Sequence, residues 1–306
     1  MGVMPQGRGE GRGAIVALGE DRRAELRELY EREVATNIFS LSWMENYGLV
    51  SRRPGVFEFR GVVRDGSLEA VALVITDRLV LLAGAEPADA GALGAFYARK
   101  GAWFGHVVSA RADVEAFWRG YTRQYRGHPM PGARLISPQR VYELDTARWD
   151  EVDGGESYPE SSLRRARPGD LDPLLLASAQ MHLEETGEDP LDKDAAAFRG
   201  HVRHRVETGR SFVWFEGHRL VFKADVSAQS KYGVQISGVY TAPRERGKGL
   251  ATRAMRDLCA TLFDRGWPRV TLYVNESNAA ARKVYERVGF EALGPYMTVF
   301  VEGRQG

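Results

Sequence analysis

The stretch Ile236–Met255, "ISGVYTAPRERGKGLATRAM", concentrates unusual residue types in a short space. An apolar, strand-like run ends at Pro243 and gives way to Arg244, Arg246, Gly247, Lys248 and Gly249, after which good helix formers begin. Gly247 and Gly249 can take positive φ, and they let a ligand approach the backbone without a Cβ in the way. The first N–H groups of a helix have no partner within it. Together with the positive end of the helix dipole they attract anions. Three cations strengthen that pull, and arginine suits phosphate oxygens best. The loop is therefore expected to hold phosphate, most naturally a pyrophosphate.

Two common phosphate motifs fail on spacing. A P-loop needs a glycine where Ala242 stands and a hydroxyl after Lys248, where Gly249 stands. A dinucleotide fingerprint needs a third glycine where Thr252 stands, and the next strand-like run, "RVTLYVN", ends in Asn275 rather than an acid.

Arg244-x-x-Gly247-x-Gly249, after an apolar strand and opening a helix, resembles the acetyl-CoA loop of the GNAT acetyltransferase superfamily. "LYVNESNAAARKVYERVGF" resembles the second block of that family, with Asn278, Ala281, Val284, Tyr285, Gly289 and Phe290 in place. The likeness covers roughly residues 161–302. The whole chain is also similar to bacterial two-part proteins whose N-terminal half is a degenerate domain of the same type. The resemblance implies that Val239, Tyr240 and Thr241 pair with the pantetheine amides as an added strand. It implies that Arg246, Gly247, Lys248, Gly249, Leu250, Ala251 and Thr252 wrap the pyrophosphate, with Arg244 beside them. Asn275 and Asn278 would bond to the pantetheine arm or the loop, with Ala281 on the same helix, and Tyr285 would protonate the departing thiolate.

An amine attacking a thioester must be neutral, and a lysine-like amine is neutral in only about one molecule in 2,500 at pH 7. Something must take the proton. Many family members use a glutamate on the strand before the loop; here that strand, "VQISGVYT", carries Gln235 and Ser237 but no carboxylate. The remaining candidates are His182, Glu184, Glu185 and Glu276. Each has a plain alternative, as a packed helix residue or a solvated helix end.

The elements that must position these residues follow from periodicity and turn signals. Residues 1–13, rich in Gly and Arg, read as a disordered arm. Residues 14–145 read as helix (20–39), hairpin turning at Asp65-Gly66, strand, helix, strand, helix, strand. A polar stretch, 146–160, reads as a linker. Residues 161–306 repeat the same order around the loop. The expected fold class is α/β (α+β): tandem GNAT-like domains, each a mixed, mostly antiparallel sheet flanked by helices. The N-terminal half has no arginine before a Gly-x-Gly, and Glu86 and Asp89 stand where a pyrophosphate would be repelled, so acetyl-CoA is expected only in the C-terminal half.

The chain has 306 residues and a formal net charge of +1, so nothing points to general attraction for nucleic acid or membranes. No signal segment or membrane span is read, and a single cysteine, Cys259, fits a reducing, cytoplasmic setting. Cys259 itself reads as a small apolar helix residue. His201 and His204 share a helix face but lack a third ligand nearby, so no metal is expected. The expected activity is N-acetyl transfer from acetyl-CoA to an amine, small-molecule or protein, by direct attack. An acyl-CoA-binding regulator without turnover is the alternative; oligomeric state stays open.

Overall fold

The computed structural model describes residues 13–84, 86–126, 130–153 and 161–303. Most of the expected N-terminal arm and the second part of the expected linker lie outside these. The chain divides into two compact units that are not sequential. Unit 1 takes Met1–Arg32, Tyr47–Ile136 and Met297–Gly306; unit 2 takes Glu33–Asn46 and Ser137–Tyr296.

In unit 1, β1 (Ala14–Ala17), β2 (Phe57–Arg64), β3 (Ser67–Ile75) and β4 (Leu79–Gly84) pair antiparallel in that order. Asp65 and Gly66 close the β2–β3 hairpin, both at positive φ (51° and 85°), as a type I′ turn requires. The chain then crosses through α3 (Pro87–Arg99) to β5 (His106–Ala110), which runs parallel to β4. The close approach of α3 to α4 (Arg111–Gln124) depends on Gly94 and Gly120, where a Cβ would come within 2.1 Å of a backbone oxygen of the facing helix. Leu93, Tyr97, Phe104, Val107, Phe117 and Tyr121 form the core, joined by Met297 and Val299.

Unit 2 repeats the arrangement. Helices α6 (Leu171–Thr186) and α7 (Pro190–Glu207) come first, after the two-residue β7 (Arg164–Arg165). Next come β8 (Ser211–Glu216), β9 (Arg219–Ser230) and β10 (Gly233–Thr241), paired antiparallel. Helix α8 (Leu250–Phe263) crosses to β11 (Arg269–Asn275), parallel to β10, and α9 (Ala279–Val288) leads to β12 (Glu291–Val301). Along β9, Phe222, Ala224 and Val226 face the core built on α8 and α9, while Lys223, opposite Val213, and Asp225 face the other side. There, Leu174, Val202, Val206 and Val213 pack α6 and α7 onto the sheet. The expected fold class is the one observed: two α/β units, each a mixed, mostly antiparallel sheet with helices.

The departures from the sequential reading have physical reasons. The helix expected over 20–39 breaks after α1 (Arg23–Glu31), and α2 (Val34–Tyr47) follows. Leu26, Leu29 and Tyr30 of α1 are buried in unit 1, whereas α2 belongs with unit 2, where the Tyr273 hydroxyl donates to the Thr36 carbonyl at 3.0 Å. The strand expected at 140–145 begins earlier, as β6 (Ala133–Asp145), and its Gln139–Asp145 part pairs antiparallel with β11 in unit 2. Tyr142 and Leu144 sit in that unit's core. Residues 146–153, expected as linker, form helix α5 (Thr146–Asp153), because Trp149 gains burial against Phe263. Each unit therefore completes its sheet with a segment that the sequential division assigns to the other half.

Candidate active site

The site begins where β10 parts from β11. Their parallel pairing covers only Val234–Ile236 against Val270–Leu272, although both strands run further. Beyond Ile236, the stretch Ser237–Thr241 has no ladder partner on that side among the described residues. Its other edge stays on β9, with a register shift between Ser237 and Tyr240. Val239, Tyr240 and Thr241 thus lie along an open strand edge, which can take an extended ligand as another strand.

The chain leaves β10 through a short 3-10 turn, Pro243–Glu245, and enters α8 at Leu250. Gly247 and Gly249 take φ of 76° and 80°, the left-handed region that suits glycine. A Cβ on either would meet nothing within 4 Å. The glycines are therefore required by backbone conformation, and the space over them is open. Gly249 caps α8 without a side-chain bond, and the first intrahelical bond of the region runs from Arg253 N to Gly249 O. The N–H groups of Leu250, Ala251 and Thr252 precede it and face the helix start. Leu250 and Thr252 side chains are buried and anchor the turn.

The cations of the loop are mostly engaged. Arg246 donates Nε to the Thr241 carbonyl at 3.0 Å and Nη2 to Glu184 at 2.8 Å, with its guanidinium 5.8 Å from the Tyr240 ring centre. Lys248 lies 2.8 Å from Glu245, which also approaches Arg219 at 3.5 Å. The Lys248 hydrogen bond holds the Glu245 carboxyl below its usual range. Arg244 is exposed.

Asn275 and Asn278 already serve the fold. Asn275 Nδ2 donates to Ser137 Oγ at 3.0 Å, and its Oδ1 accepts from Ser277. Asn278 caps α9, accepting from the Ala281 N–H at 3.0 Å. Tyr285, one face of α9 further on, is buried against Tyr142 and Phe290. Burial pushes its phenol well above the ordinary range, and the charge of Glu185 adds to the rise.

Of the candidate bases, Glu184 is tied to Arg246, Glu276 lies 3.5 Å from Arg140, and the His182 ring packs 6.4 Å from Phe198. Glu185 differs. Although its side chain reaches solvent, desolvation raises its carboxyl, the Lys223 ammonium draws it back, and Glu184 pushes it up again. It is the candidate whose field reaches Tyr285. Two buried charges were missing from the sequence expectations: Lys223 and Asp225 form an ion pair at 2.8 Å on β9. Their signal is visible in "RLVFKADVS", where two charges fall on one face of an otherwise apolar strand. Cys259 is buried on α8, where desolvation pushes its thiol up. Among the described residues no group of three or more His, Cys, Asp or Glu could hold a metal ion, and no helix is long and apolar enough to cross a membrane.

A strand opening, a glycine turn and a bare helix start thus follow one another on a mixed sheet. Residues 176–290 match the family model described as the Acetyltransferase (GNAT) family, so the chain carries a GNAT domain over that span. It is 35% identical over 89 residues to a mycothiol acetyltransferase of Thermobispora bispora, covering 29% of this chain and 28% of that protein. It is 30% identical over 92 residues to an uncharacterized N-acetyltransferase of Mycobacterium bovis, covering 30% of this chain and 56% of that one. The matched stretch thus spans about half or less of these relatives. In fold, the chain resembles a tandem GNAT protein from the clavulanic acid biosynthesis pathway, with a TM-score of 0.54, 16% identity, and coverage of 96% of this chain and 99% of that one.

Proposed function

We propose that unit 2 binds acetyl-CoA along β10 and the loop before α8, and transfers the acetyl group to an amine by direct attack. The observation that carries this reading is the parting of β10 from β11 after Ile236, which leaves a strand edge open beside unpaired helix N–H groups. In this reading Val239–Thr241 hold the pantetheine amides, and the N–H groups of Gly247–Thr252 hold the pyrophosphate, with Arg244, Arg246 and Lys248 around it. Ala281 lies on the first turn of α9. Asn275 and Asn278 act by shaping the β11–α9 corner. Glu185 takes the proton of the attacking amine, since a raised carboxyl is a stronger base at neutral pH. The amine nitrogen bonds to the acetyl carbon, the C–S bond breaks, and Tyr285 donates a hydrogen bond to the departing sulfur. Its raised pKa keeps the phenol protonated and makes that bond stabilising rather than a full early transfer.

The assignment of a degenerate unit without an acetyl-CoA loop (unit 1) and a catalytic unit (unit 2) is kept as part of this proposal, with the interleaved bounds. The absence of a carboxylate on β10 favours a second reading, a protein that binds acyl-CoA without turnover. One experiment separates them: titrate the protein with acetyl-CoA and, as a control, ATP, then follow thiol release with a pool of small amines and peptides. Binding plus amine-dependent thiol release supports transfer. Binding without release supports the regulator. Binding of ATP instead of acetyl-CoA would overturn both.

A further inference from the structure

We propose that the buried Lys223–Asp225 ion pair props β10 away from β11, making both residues positioning residues for the cofactor strand. The inference rests on the reading that this opening receives acetyl-CoA. In the β9–β10 ladder, Ser237 stands opposite Asp225 and Tyr240 opposite Lys223. Three steps on β10 match two on β9, so one extra residue is accommodated between them, the definition of a bulge. Gly238 lies in that bulge at φ 59°. A Cβ on it would come within 2.7 Å of Asp225 Oδ2 and 3.0 Å of Lys223 Nζ. The charged heads therefore occupy the place where a side chain of β10 would otherwise sit.

The pair is built to stay. Lys223 and Asp225 are 0% and 2% exposed, Ser211 Oγ donates to Asp225 Oδ1 at 2.6 Å, and Arg205 lies 3.7 Å away. Desolvation pushes the Asp225 carboxyl up, but Lys223, Arg205 and the hydrogen bonds outweigh it and leave it below its ordinary range. Burying two charges is costly, and apolar residues of similar size often replace such a pair without loss of stability. Stability alone therefore gives no reason for it. Position does: the bulge it supports lies two residues past Ile236, where the ladder to β11 ends. Without the prop, Ser237–Thr241 could flatten and continue the ladder along β11, closing the opening.

The test uses the full chain and three measurements: thermal melting, hydrogen exchange of the Ser237–Thr241 amides, and titration with acetyl-CoA. Lys223→Met with Asp225→Leu removes both charges together. The expected result is a melting temperature close to that of the wild type, slower exchange at 237–241 as the strands close, and a Kd for acetyl-CoA raised tenfold or more. A merely structural role would lower the melting temperature and speed exchange, which overturns the proposal. Unchanged exchange and Kd overturn it as well. If the double variant does not fold, Lys223→Ala with Asp225→Ser decides, since it withdraws both heads from beneath Gly238 without leaving one charge buried alone: slower exchange at 237–241 supports the prop, and wild-type or faster exchange overturns it. Failure of the wild type to bind acetyl-CoA would sink the functional reading alone, because the exchange result does not need the cofactor.

Discussion

If Arg246 serves a pyrophosphate, Glu184 is its competitor. Their Nη2–Oε2 distance is 2.8 Å, and the side chains are 47% and 36% exposed, so the pair belongs to the surface class. Such pairs contribute about 0.2–1 kcal/mol. Cofactor binding must break or share this contact, and Glu184→Gln removes that cost together with a negative charge beside an anionic ligand. Acetyl-CoA should then bind about 1.5- to 5-fold more tightly. Arg246→Ala loses a charge-assisted phosphate bond of about 1.5–3 kcal/mol, offset by the ion pair that no longer needs breaking. The net loss is about 0.5–2.8 kcal/mol, or roughly 2- to 100-fold in Kd. In the double variant the Glu184 change should matter less, because its partner is gone and only the removal of a negative charge near the ligand is left. Isothermal titration of the four proteins, at low and at moderate salt, reads all of this. Weaker binding by Glu184→Gln would show that Glu184 holds Arg246 in place for the cofactor, and would refute the competition argument. No loss in Arg246→Ala would show that the backbone N–H groups do the work alone.

Tyr285→Phe should leave acetyl-CoA affinity nearly unchanged and lower turnover by about 10²–10³-fold, as losing one hydrogen-bond donor to developing negative charge does; normal turnover would remove the phenol from the mechanism. Glu185 works as a base only when ionised, so turnover should fall as pH drops through its raised pKa. Glu185→Gln should abolish that acid limb in the pH–rate profile. Burial lowers His106 from 6.5 to about 4, so the unfolded chain takes up the proton first as pH falls. Stability should decline between about pH 6.5 and 4, by at most about 3 kcal/mol from this group, and His106→Gln should flatten that slope in urea melts. A fragment starting at Ser161 lacks Glu33–Asn46 and Ser137–Asp153 of unit 2, and with the latter Tyr142, Leu144 and Trp149 of its core. It should show no cooperative melt; a cooperative melt with acetyl-CoA binding would refute the interleaved division.

What the sequence made legible was local. Asp65-Gly66 announces its hairpin because only certain residues tolerate two successive positive φ angles. The order of strands and helices follows from periodicity, and Gly247 and Gly249 mark the turn that their φ values require. What stayed hidden depends on partners far along the chain. Nothing near Ser137–Asp145 tells which β-edge it will join, since β propensity does not name a neighbour. Likewise Arg246 reads as a phosphate ligand, while its contact with Glu184 spans 62 positions and emerges only when α6 is packed beside the loop. Asn275 and Asn278 were readable as polar residues at a strand end and helix start, yet their capping and corner bonds compete with any cofactor role.

The interleaving reverses the usual order of maturation on the ribosome. Domains generally fold as they emerge, N-terminal first. Here the strand Met297–Val301, part of unit 1, is not yet made when Ile136 leaves the synthesis site. At about 5–20 residues per second, roughly ten to thirty seconds separate the two. β12 is the neighbour of β5 in the sheet, so during that interval the edge of β5 in the nascent N-terminal sheet stands uncovered, a place for wrong pairing. Unit 2, by contrast, has all of its segments in hand once Tyr296 is made. The unit that starts first is therefore the one that finishes last, and the growing chain depends on whatever shields that edge in the meantime.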